Sequence, residues 1–246
     1  MCSCNNRCGS EMTRTILITG ATSSFGQELI ARLPSETSII AQSRQRLPSK
    51  FSKDPRIINV ISDLSKIDFL NDFDSQIDFS QVDEIVHFAA APMRMQNFSA
   101  TKSEQLLLDY QTNFLSVVSL LTKVTATRKQ NQRQIRVVIM LTDMLRSPKK
   151  GETSYITSKF ALLGLIKSLT TEYSGNDLRV NAVSPSLVET KYVEHFPEFL
   201  RKDVLDKHPM NRHCTVSEVI DSVEFLLSPQ SLFINGQNFL INGGEN

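Results

Sequence analysis

Two side chains that can move a proton lie four residues apart in a segment with helical periodicity. In the run Tyr155-Ile156-Thr157-Ser158-Lys159, this spacing puts the Tyr155 phenol and the Lys159 ammonium on one helix face, one turn apart. A phenol is a weak acid at neutral pH because its reference pKa is about 10, and a neighbouring cation favours the phenolate. The pair is therefore a candidate for giving a proton to a reacting oxygen or taking one from it. Taken alone, the same spacing also fits a pair on a helix surface that has no function.

A short apolar strand, a turn of small residues and a helix follow one another near the start of the chain. The apolar run Thr15–Thr19 stops at Gly20, and helical periodicity extends over residues 27–33. This order predicts a βα unit whose turn offers backbone N–H groups to a pyrophosphate. Gly20 supplies backbone freedom, and Gly26 lets the helix pack closely. Ser24 stands where a glycine is usual, so its hydroxyl offers a phosphate a hydrogen bond while its Cβ narrows the turn.

The segment after the second predicted strand has no acidic residue. None occurs between Thr37 and Lys53, and the strand at residues 38–43 is followed by Arg44 and Arg46. A site for NAD usually places an acid about 20 residues after the glycine turn, whereas an arginine there can hold a 2′-phosphate. Arg44 is therefore predicted to select NADP(H) over NAD(H), and a solvated loop is the alternative.

Apolar runs and helical repeats alternate along the rest of the chain. Their alternation predicts the α/β class, with a Rossmann-like doubly wound parallel sheet of about seven strands flanked by about six helices. One domain is expected over residues 14–246, after a flexible tail at residues 1–13. Strands are predicted at residues 15–19, 38–43, 56–61, 82–91, 136–141, 178–183 and 239–241, and long helices at residues 103–127, 153–173 and 215–227.

Several polar or small residues stand near the ends of these strands. Asp63 follows the third strand and is expected to cap the next helix or to face an adenine ring. His87 is interpreted as a hydrogen-bonded core histidine rather than as a catalyst. Pro185 is expected to stop the sixth strand. Asn113 is unfavourable inside a helix, because its amide competes with backbone hydrogen bonds, so a specific role is expected.

Charge and hydropathy narrow the class of protein. With 27 basic and 26 acidic residues, the chain has no excess charge that would favour a nucleic acid or a membrane surface as partner. No apolar run approaches the roughly 20 residues that span a bilayer, and the N-terminus lacks the apolar core of a signal peptide. A cytoplasmic location is therefore expected. No metal site is expected, because Cys2, Cys4 and Cys8 lack a fourth ligand nearby and Cys214 lies far along the chain.

Taken together, these motifs resemble those of the short-chain dehydrogenase/reductase family in its single-domain form, from about residue 14 to the C-terminus. Each motif is common by itself, but here they occur in the family's order and spacing. The matching features are Thr19-Gly20-x3-Ser24-x-Gly26 for the glycine turn, Asp63 for the adenine-side acid, Asn113 for the helix asparagine, Thr142 thirteen residues before Tyr155 at the position of the catalytic serine, the Tyr155 and Lys159 pair, the loop at residues 185–190 and the ending at residues 235–244.

The resemblance implies an oxidoreductase that interconverts a carbonyl and an alcohol on a small molecule with NADP(H). Tyr155 would protonate the carbonyl oxygen, and Lys159 would hold the nicotinamide ribose and lower the Tyr155 pKa. Thr142 would orient the carbonyl, and Asn113 would position a water that relays protons to Lys159. A homodimer or homotetramer is also implied. The implied cofactor contacts are Gly20, Ser23, Ser24, Phe25, Gly26, Ser43, Arg44, Asp63, Leu64, Ala89, Ala90, Ala91, Tyr155, Lys159, Pro185, Ser186, Val188 and Thr190.

Departures from the family pattern keep two other functions open. Thr142 replaces a serine, and Ser186 replaces the glycine of a Pro-Gly pair. With Ser24, these changes would suit an NADP-binding regulatory protein whose catalysis has weakened. The run His87-Phe88-Ala89-Ala90 is instead similar to the His-x-Ala-Ala of longer members that act on nucleotide sugars, so an epimerase or dehydratase is the second alternative.

The substrate is expected to be chosen by loops at residues 92–95, 143–150 and 188–210. Within the last of these, residues 189–207 are expected to form a mobile helical cover. The cations Arg94, Lys149, Lys150 and Lys191 in these loops suggest an anionic group, and solvated surface charge is the alternative.

Overall fold

Seven parallel strands form one sheet in a computed structural model that describes residues 14–51, 53–127, 134–173, 175–190, 198, 202, 205–206 and 208–245. The strands are β1 (Thr15–Thr19), β2 (Ser38–Ser43), β3 (Ile57–Ile61), β4 (Glu84–His87), β5 (Ile135–Met140), β6 (Leu178–Pro185) and β7 (Asn238–Ile241). Their order in the sheet is β3-β2-β1-β4-β5-β6-β7, and every neighbouring pair is parallel. The predicted doubly wound parallel sheet is confirmed.

Helices cover both faces of the sheet, because successive side chains of a buried strand point to opposite faces. In β1, Leu17 packs into the layer that contains α4 and α5, defined below, whereas Ile16 and Ile18 pack against α1 and α6. All three side chains are fully buried. The helices are α1 (Ser24–Arg32), α2 (Asn71–Asp74), α3 (Ser103–Tyr110), α4 (Ser116–Thr127), α5 (Thr153–Glu172) and α6 (Val216–Leu227).

The expected helix at residues 103–127 is interrupted in the middle. A π-helical turn, Gln111–Leu115, separates α3 from α4 and has Asn113 at its centre. Such turns are rare and occur often at functional sites. By contrast, the predicted capping box that opens α6 is present, with Thr215 and Glu218 bonded to each other's backbone N–H groups.

β6 ends at Pro185, so the predicted stop at this proline is confirmed, although the strand extends two residues beyond the predicted bound at Val183. A proline lacks the N–H that a sheet ladder normally uses. The last β5–β6 pair joins Met140 to Val183, and Pro185 pairs with Ile241 of β7. The missing N–H therefore removes no hydrogen bond to β5, and the strand continues past the expected end.

Two other predictions about strand ends need correction. Of the two roles expected for Asp63, helix capping is wrong, since α2 begins only at Asn71 and the Asp63 Oδ1 accepts a hydrogen bond from the Ser65 N–H at 3.0 Å. The adenine-facing role stays a prediction. β4 ends at His87, and the residues after Phe88 leave the sheet. This early exit places Ala89, Ala90 and Ala91 beside the carboxyl ends of the strands.

Parts of three predictions lie outside the described residues. The tail at residues 1–13, with Cys2, Cys4 and Cys8, is one, and most of the expected cover at residues 189–207 is another. The loop cation Lys191 is the third. Across the described ranges, no helix is long and apolar enough to cross a membrane. The same ranges contain no group of three or more His, Cys, Asp or Glu side chains that could hold a metal ion.

Candidate functional site

A cleft of about 1320 Å³ opens along the carboxyl ends of the strands. It includes the crevice between β1 and β4, where the strand order reverses direction. Open parallel sheets bind ligands at such reversals. Every site residue predicted from the sequence lines this cleft except Asn113 and Gly26.

The glycine turn fits the predicted phosphate-binding role. Gly20 has a φ of 67°, and a Cβ there would lie 2.8 Å from the Ala89 backbone nitrogen. A Cβ on Gly26 would lie 2.6 Å from the Ala21 Cα, so this glycine lets α1 pack against the turn itself. Both positions therefore require glycine, one for backbone angle and contact and the other for contact alone.

The first turn of α1 points free N–H groups toward the cleft. Ser23 is the N-cap, and its Oγ accepts a hydrogen bond from the Gly26 N–H at 3.1 Å. The next N–H groups, those of Ser24 and Phe25, have no partner within the helix because they lie in its first turn. Both residues line the cleft, so the turn offers donors and the positive helix end to a phosphate.

A residue missed by the sequence reasoning holds this turn in place. The buried Gln42 side chain accepts the Gly20 N–H at 3.1 Å and donates to the Ser62 carbonyl at 2.7 Å. It thereby joins the turn after β1 to the residue that follows β3. The available signal was a polar residue within the apolar run of β2, which a fully buried strand does not need.

Arg44 and Asp63 face each other across the end of the cleft beside β2. Arg44 is exposed, and it lines the cleft together with Ser43. Burial alone would raise the pKa of Asp63, but hydrogen bonds from Ser65 and the charges of Arg44 and Lys66 outweigh it and lower that pKa. This end of the cleft therefore pairs an ionised carboxylate with a cation.

Tyr155 and Lys159 lie on one face of α5, as predicted, and both line the cleft. The Lys159 Nζ is 5.7 Å from the centre of the Tyr155 ring. Lys159 is only 2% exposed, and its Nζ donates to the Met140 carbonyl at 2.8 Å. Burial lowers its pKa to about 8, and no carboxylate contributes to that shift. Among the described residues, no carboxylate forms an ion pair with this ammonium, which is held next to the phenol.

Asn113 lies beneath the cleft wall and joins two segments that line it. Its Oδ1 accepts the Ala91 N–H at 2.6 Å, and its Nδ2 donates to the Ser158 Oγ at 2.9 Å. Ser158 in turn donates to the Tyr155 carbonyl at 2.7 Å. The π-helical turn therefore connects the segment after β4 with the helix that carries Tyr155 and Lys159.

Thr142 follows β5 and lines the same cleft. Its Oγ1 accepts the Met144 N–H at 3.3 Å and so caps a short 3-10 turn, Asp143–Leu145. A threonine hydroxyl has one proton to donate besides its two lone pairs. The Thr142 hydroxyl can therefore keep this cap and still donate a hydrogen bond into the cleft.

His87 is the hydrogen-bonded core histidine that the sequence predicted. It is 1% exposed, and its Nδ1 lies 2.8 Å from the Thr19 Oγ1. Burial, followed by the charge of Lys159, lowers its pKa to about 3, so the imidazole is neutral at physiological pH. Its Nε2 has no hydrogen-bond partner among the described residues.

The end of the cleft beyond Tyr155 contains residues that the sequence did not single out. Burial raises the pKa of Glu152, which precedes α5. Gly244 and Glu245 also line this end, where the Arg146 guanidinium donates to the Glu245 carbonyl at 2.6 Å. Nothing in the sequence marked these contacts, because residues almost a hundred positions apart make them.

The chain matches known proteins over most of its length. A family model described as enoyl-(acyl carrier protein) reductase matches residues 39–246. A 3-oxoacyl-[acyl-carrier-protein] reductase from Rickettsia conorii is 26% identical over 238 residues, which are 94% of this chain and 96% of that protein. A protein of the same name from Buchnera aphidicola is 31% identical over 148 residues, which are 60% of this chain but only 59% of that protein.

Solved structures share the fold. A 3-ketoacyl-(acyl-carrier-protein) reductase from Brucella melitensis, complexed with NADH, superimposes with a TM-score of 0.82 at 23% identity, covering 94% of this chain and 97% of that one. ElxO with NADP bound gives a TM-score of 0.80 at 21% identity, covering 94% and 98%. The sheet order, the matched family model and these similar structures agree on one family. The chain belongs to the short-chain dehydrogenase/reductase family of oxidoreductases.

Proposed function

We propose that this protein is an NADP(H)-dependent enzyme that interconverts a carbonyl and an alcohol on a small molecule, with Tyr155 as the acid and base. The observation that carries the proposal is the buried Lys159 ammonium, 5.7 Å from the centre of the Tyr155 ring, in the cleft that the glycine turn forms. A phenol beside a buried cation is suited to proton transfer.

The cleft residues divide the work of the reaction. NADPH held by the glycine turn and Arg44 would supply the hydride to the carbonyl carbon and leave as NADP⁺. Tyr155 donates its hydroxyl proton to the carbonyl oxygen, so that hydride and proton together give the alcohol. The Lys159 ammonium stabilises the phenolate that remains, and the Thr142 hydroxyl donates a hydrogen bond to the same oxygen. Alcohol oxidation uses the reverse proton path.

Asn113 acts in this proposal as a positioning residue. Both ends of its amide are engaged by Ala91 and Ser158. It therefore keeps the segment after β4 at a fixed distance from α5 instead of contacting the substrate. Whether its π-helical turn also positions a proton-relaying water stays a prediction of the family resemblance.

The preference for NADP(H) rests on the residues at the end of β2. There the cleft is lined by Gln42, Ser43 and Arg44, and no carboxylate follows the strand to accept a ribose 2′-hydroxyl. The exposed Arg44 can hold a 2′-phosphate with two parallel hydrogen bonds. The related structures bind either cofactor form, NADH in one and NADP in another, so the preference depends on this chain's own residues.

An oxidation assay tests the proposal. Purified protein is mixed with NADPH or NADH and a panel of aldehydes, ketones, a 3-oxoacyl thioester and an enoyl thioester, because the matched family and relatives carry acyl-chain names. We expect NADPH consumption with at least one carbonyl compound. Cofactor binding without turnover across the panel would favour the regulatory alternative, and cofactor retained through purification would favour the epimerase or dehydratase.

Assembly and location remain predictions. Leu115 beside α4 and Phe160 on α5 are exposed apolar side chains, which suits a helix-mediated homodimer or homotetramer. Sedimentation of the purified protein would measure the assembly. The cytoplasmic location rests on the sequence.

A further inference from the structure

In the cleft wall, Arg94 forms an ion pair with the buried carboxylate of Asp109. The Arg94 Nη1 donates to the Asp109 Oδ1 at 2.8 Å, and both residues line the cleft. The Arg94 side chain is 40% exposed, whereas that of Asp109 is only 7% exposed. The guanidinium is therefore the more accessible partner of this pair, and the carboxylate is the buried one.

The Asp109 carboxylate is fully engaged by donors from three elements. Besides Arg94, its Oδ1 accepts the Gln105 amide at 3.0 Å, and its Oδ2 accepts the Ser154 hydroxyl at 2.6 Å. Ser154 immediately precedes Tyr155 on α5. The Arg94 guanidinium is thus fixed, through one carboxylate, to the helix turn that carries the proposed acid.

Within the part of the chain that the structure describes, a single nitrogen of the Arg94 guanidinium makes a hydrogen bond. Among the described residues, Nη1 has a hydrogen-bond partner, and the Nε and Nη2 groups of Arg94 have none. An arginine presents five N–H donors in a rigid planar fork that matches a carboxylate. The open edge of Arg94 is therefore an oriented pair of donors on the wall of the cleft.

Three other charged residues that line this end of the cleft show a similar difference between a buried acid and exposed cations. Glu152 is 3% exposed, and burial raises its pKa, which favours the uncharged acid. Arg146 and Lys149, in contrast, are exposed. The carboxylates of Asp143 and Glu245, which also line the cleft, are half-buried, so the most exposed charges at this end are cations.

We propose that Arg94 binds a carboxylate of the substrate, so that the enzyme acts on oxo acids and the matching hydroxy acids. Asp109 positions the guanidinium, and the substrate carboxylate occupies the open Nε and Nη2 edge while its oxo group lies near Tyr155. The inference rests on the proposed function, because it names the substrate class of the same site. In the structural alternative, the Arg94–Asp109 pair only ties the segment after β4 to α3.

Pairs of acids and their methyl esters separate these readings. The probes are acetoacetate with methyl acetoacetate and levulinate with methyl levulinate, which differ in the distance between oxo group and carboxylate. We expect the wild-type enzyme to prefer the acid of at least one pair in kcat/KM. Arg94→Gln should reduce the ratio of acid to ester kcat/KM about 10- to 100-fold, as for a lost charged hydrogen bond.

Two further variants sharpen the comparison. Arg94→Lys keeps the charge but loses the planar fork, so it should retain part of the preference. Lys102→Gln removes an exposed cation directly before α3 that does not line the cleft, so it should leave the ratio of acid to ester kcat/KM unchanged. An unchanged acid-to-ester ratio in Arg94→Gln, or an equal loss with acid and ester, would overturn the inference in favour of the structural tie.

A binding measurement keeps the inference testable even if no probe is reduced. Acetoacetate and methyl acetoacetate are titrated into the NADPH-loaded Tyr155→Phe variant, with and without Arg94→Gln, and the fluorescence of the bound NADPH is followed. Tighter binding of the acid that depends on Arg94 would support the carboxylate site even though the proposed reaction had failed. Equal or absent binding of acid and ester would refute it.

Discussion

The Lys159 ammonium donates a hydrogen bond to the Met140 carbonyl at 2.8 Å, and this bond joins α5 to the end of β5. Met140 is the last residue of β5, two positions before Thr142. One strand end therefore holds the cation in place and also starts the segment that presents the Thr142 hydroxyl. The relative positions of Lys159 and Thr142 thus follow from the sheet.

Replacing Lys159 should stabilise the fold while removing activity. Unfolded lysine has a pKa of about 10.4, and burial lowers the folded value to about 8, so the folded state binds the proton less tightly. The burial penalty is fully present below pH 8, and it disappears as pH rises to about 10. Lys159→Met should therefore raise the free energy of unfolding at pH 7 by about 1–2 kcal/mol, after the loss of the Met140 hydrogen bond.

Urea unfolding at pH 7, 8, 9 and 10 measures the difference in unfolding free energy between the variant and the wild type. This difference in unfolding free energy should shrink as the pH rises, because the wild type then buries a neutral amine. Lys102→Met, on an exposed lysine, serves as the control. A Lys159→Met protein that is less stable than the wild type by the same amount at every pH would contradict the account.

His87 should make the protein sensitive to acid. The unfolded imidazole takes up a proton below about pH 6.5, whereas the buried one resists protonation down to about pH 3. Stability is therefore fully present above pH 6.5 and is lost as pH falls toward 3. His87→Phe removes the titration, although it also removes the Thr19 hydrogen bond and lowers stability at neutral pH.

The measurement is the slope of unfolding free energy against pH. Between pH 6.5 and 4 the wild type should lose on the order of 3 kcal/mol more than His87→Phe. Parallel slopes for the two proteins would mean that His87 is not the acid-sensitive group.

The strand pattern was readable from the sequence where a strand is buried on both faces. The bounds of β1 and β2 match their apolar runs, because parallel strands under two helix layers need apolar residues throughout. The π-helical turn around Asn113 and the extension of β6 from Val183 to Pro185 were not readable. Both depend on partners from distant parts of the chain, such as Ala91 and Ile241.

The residues of the site likewise fall into those that the sequence located and those that it missed. Residues tied to a strand end or a turn, such as Gly20, Thr142 and Tyr155, were located by their spacing and found on the cleft wall. Gln42 and Asp109 were missed, because their roles come from hydrogen bonds made across the fold. Local sequence gives no signal of which distant N–H or hydroxyl such a side chain will meet.

Thr142 can be tested with two substitutions that differ in the hydroxyl. Thr142→Ser keeps the donor and the Met144 cap, so activity should be retained or raised. Thr142→Val keeps the shape but has no donor, so turnover should fall on the order of 10²–10³-fold. Melting temperature is measured alongside, since losing the cap destabilises the 3-10 turn. An active Thr142→Val enzyme would remove Thr142 from the catalytic set.

Arg44 should determine the choice between cofactors. Arg44→Ala removes the guanidinium that would pair with a 2′-phosphate, so NADPH affinity should fall about 10- to 100-fold and NADH affinity should stay within about twofold. The matched control is Arg46→Ala, an exposed arginine two residues on that does not line the cleft. Fluorescence titration gives both affinities. Equal affinities of the wild-type protein for NADPH and NADH would contradict this prediction.

Proton donation by Tyr155 should account for most of the rate. Tyr155→Phe keeps the ring but removes the transferable proton, so turnover should fall by at least about 10²–10⁴-fold while NADPH binding persists. The paired Lys159→Ala should weaken both binding and turnover, because Lys159 is next to the phenol in the same cleft. Activity of Tyr155→Phe equal to that of the wild type would assign the proton to another group.

The most direct test of the central claim follows a deuterium label from the reduced cofactor to the product alcohol. NADPH carrying deuterium on the transferred position of its nicotinamide is incubated with the protein and the carbonyl compound consumed fastest in the panel assay. The account predicts an alcohol with deuterium on the former carbonyl carbon from the wild type, and almost none from Tyr155→Phe in the same time. NADPH consumption without deuterium in the alcohol, or equal labelling by the two proteins, would contradict it.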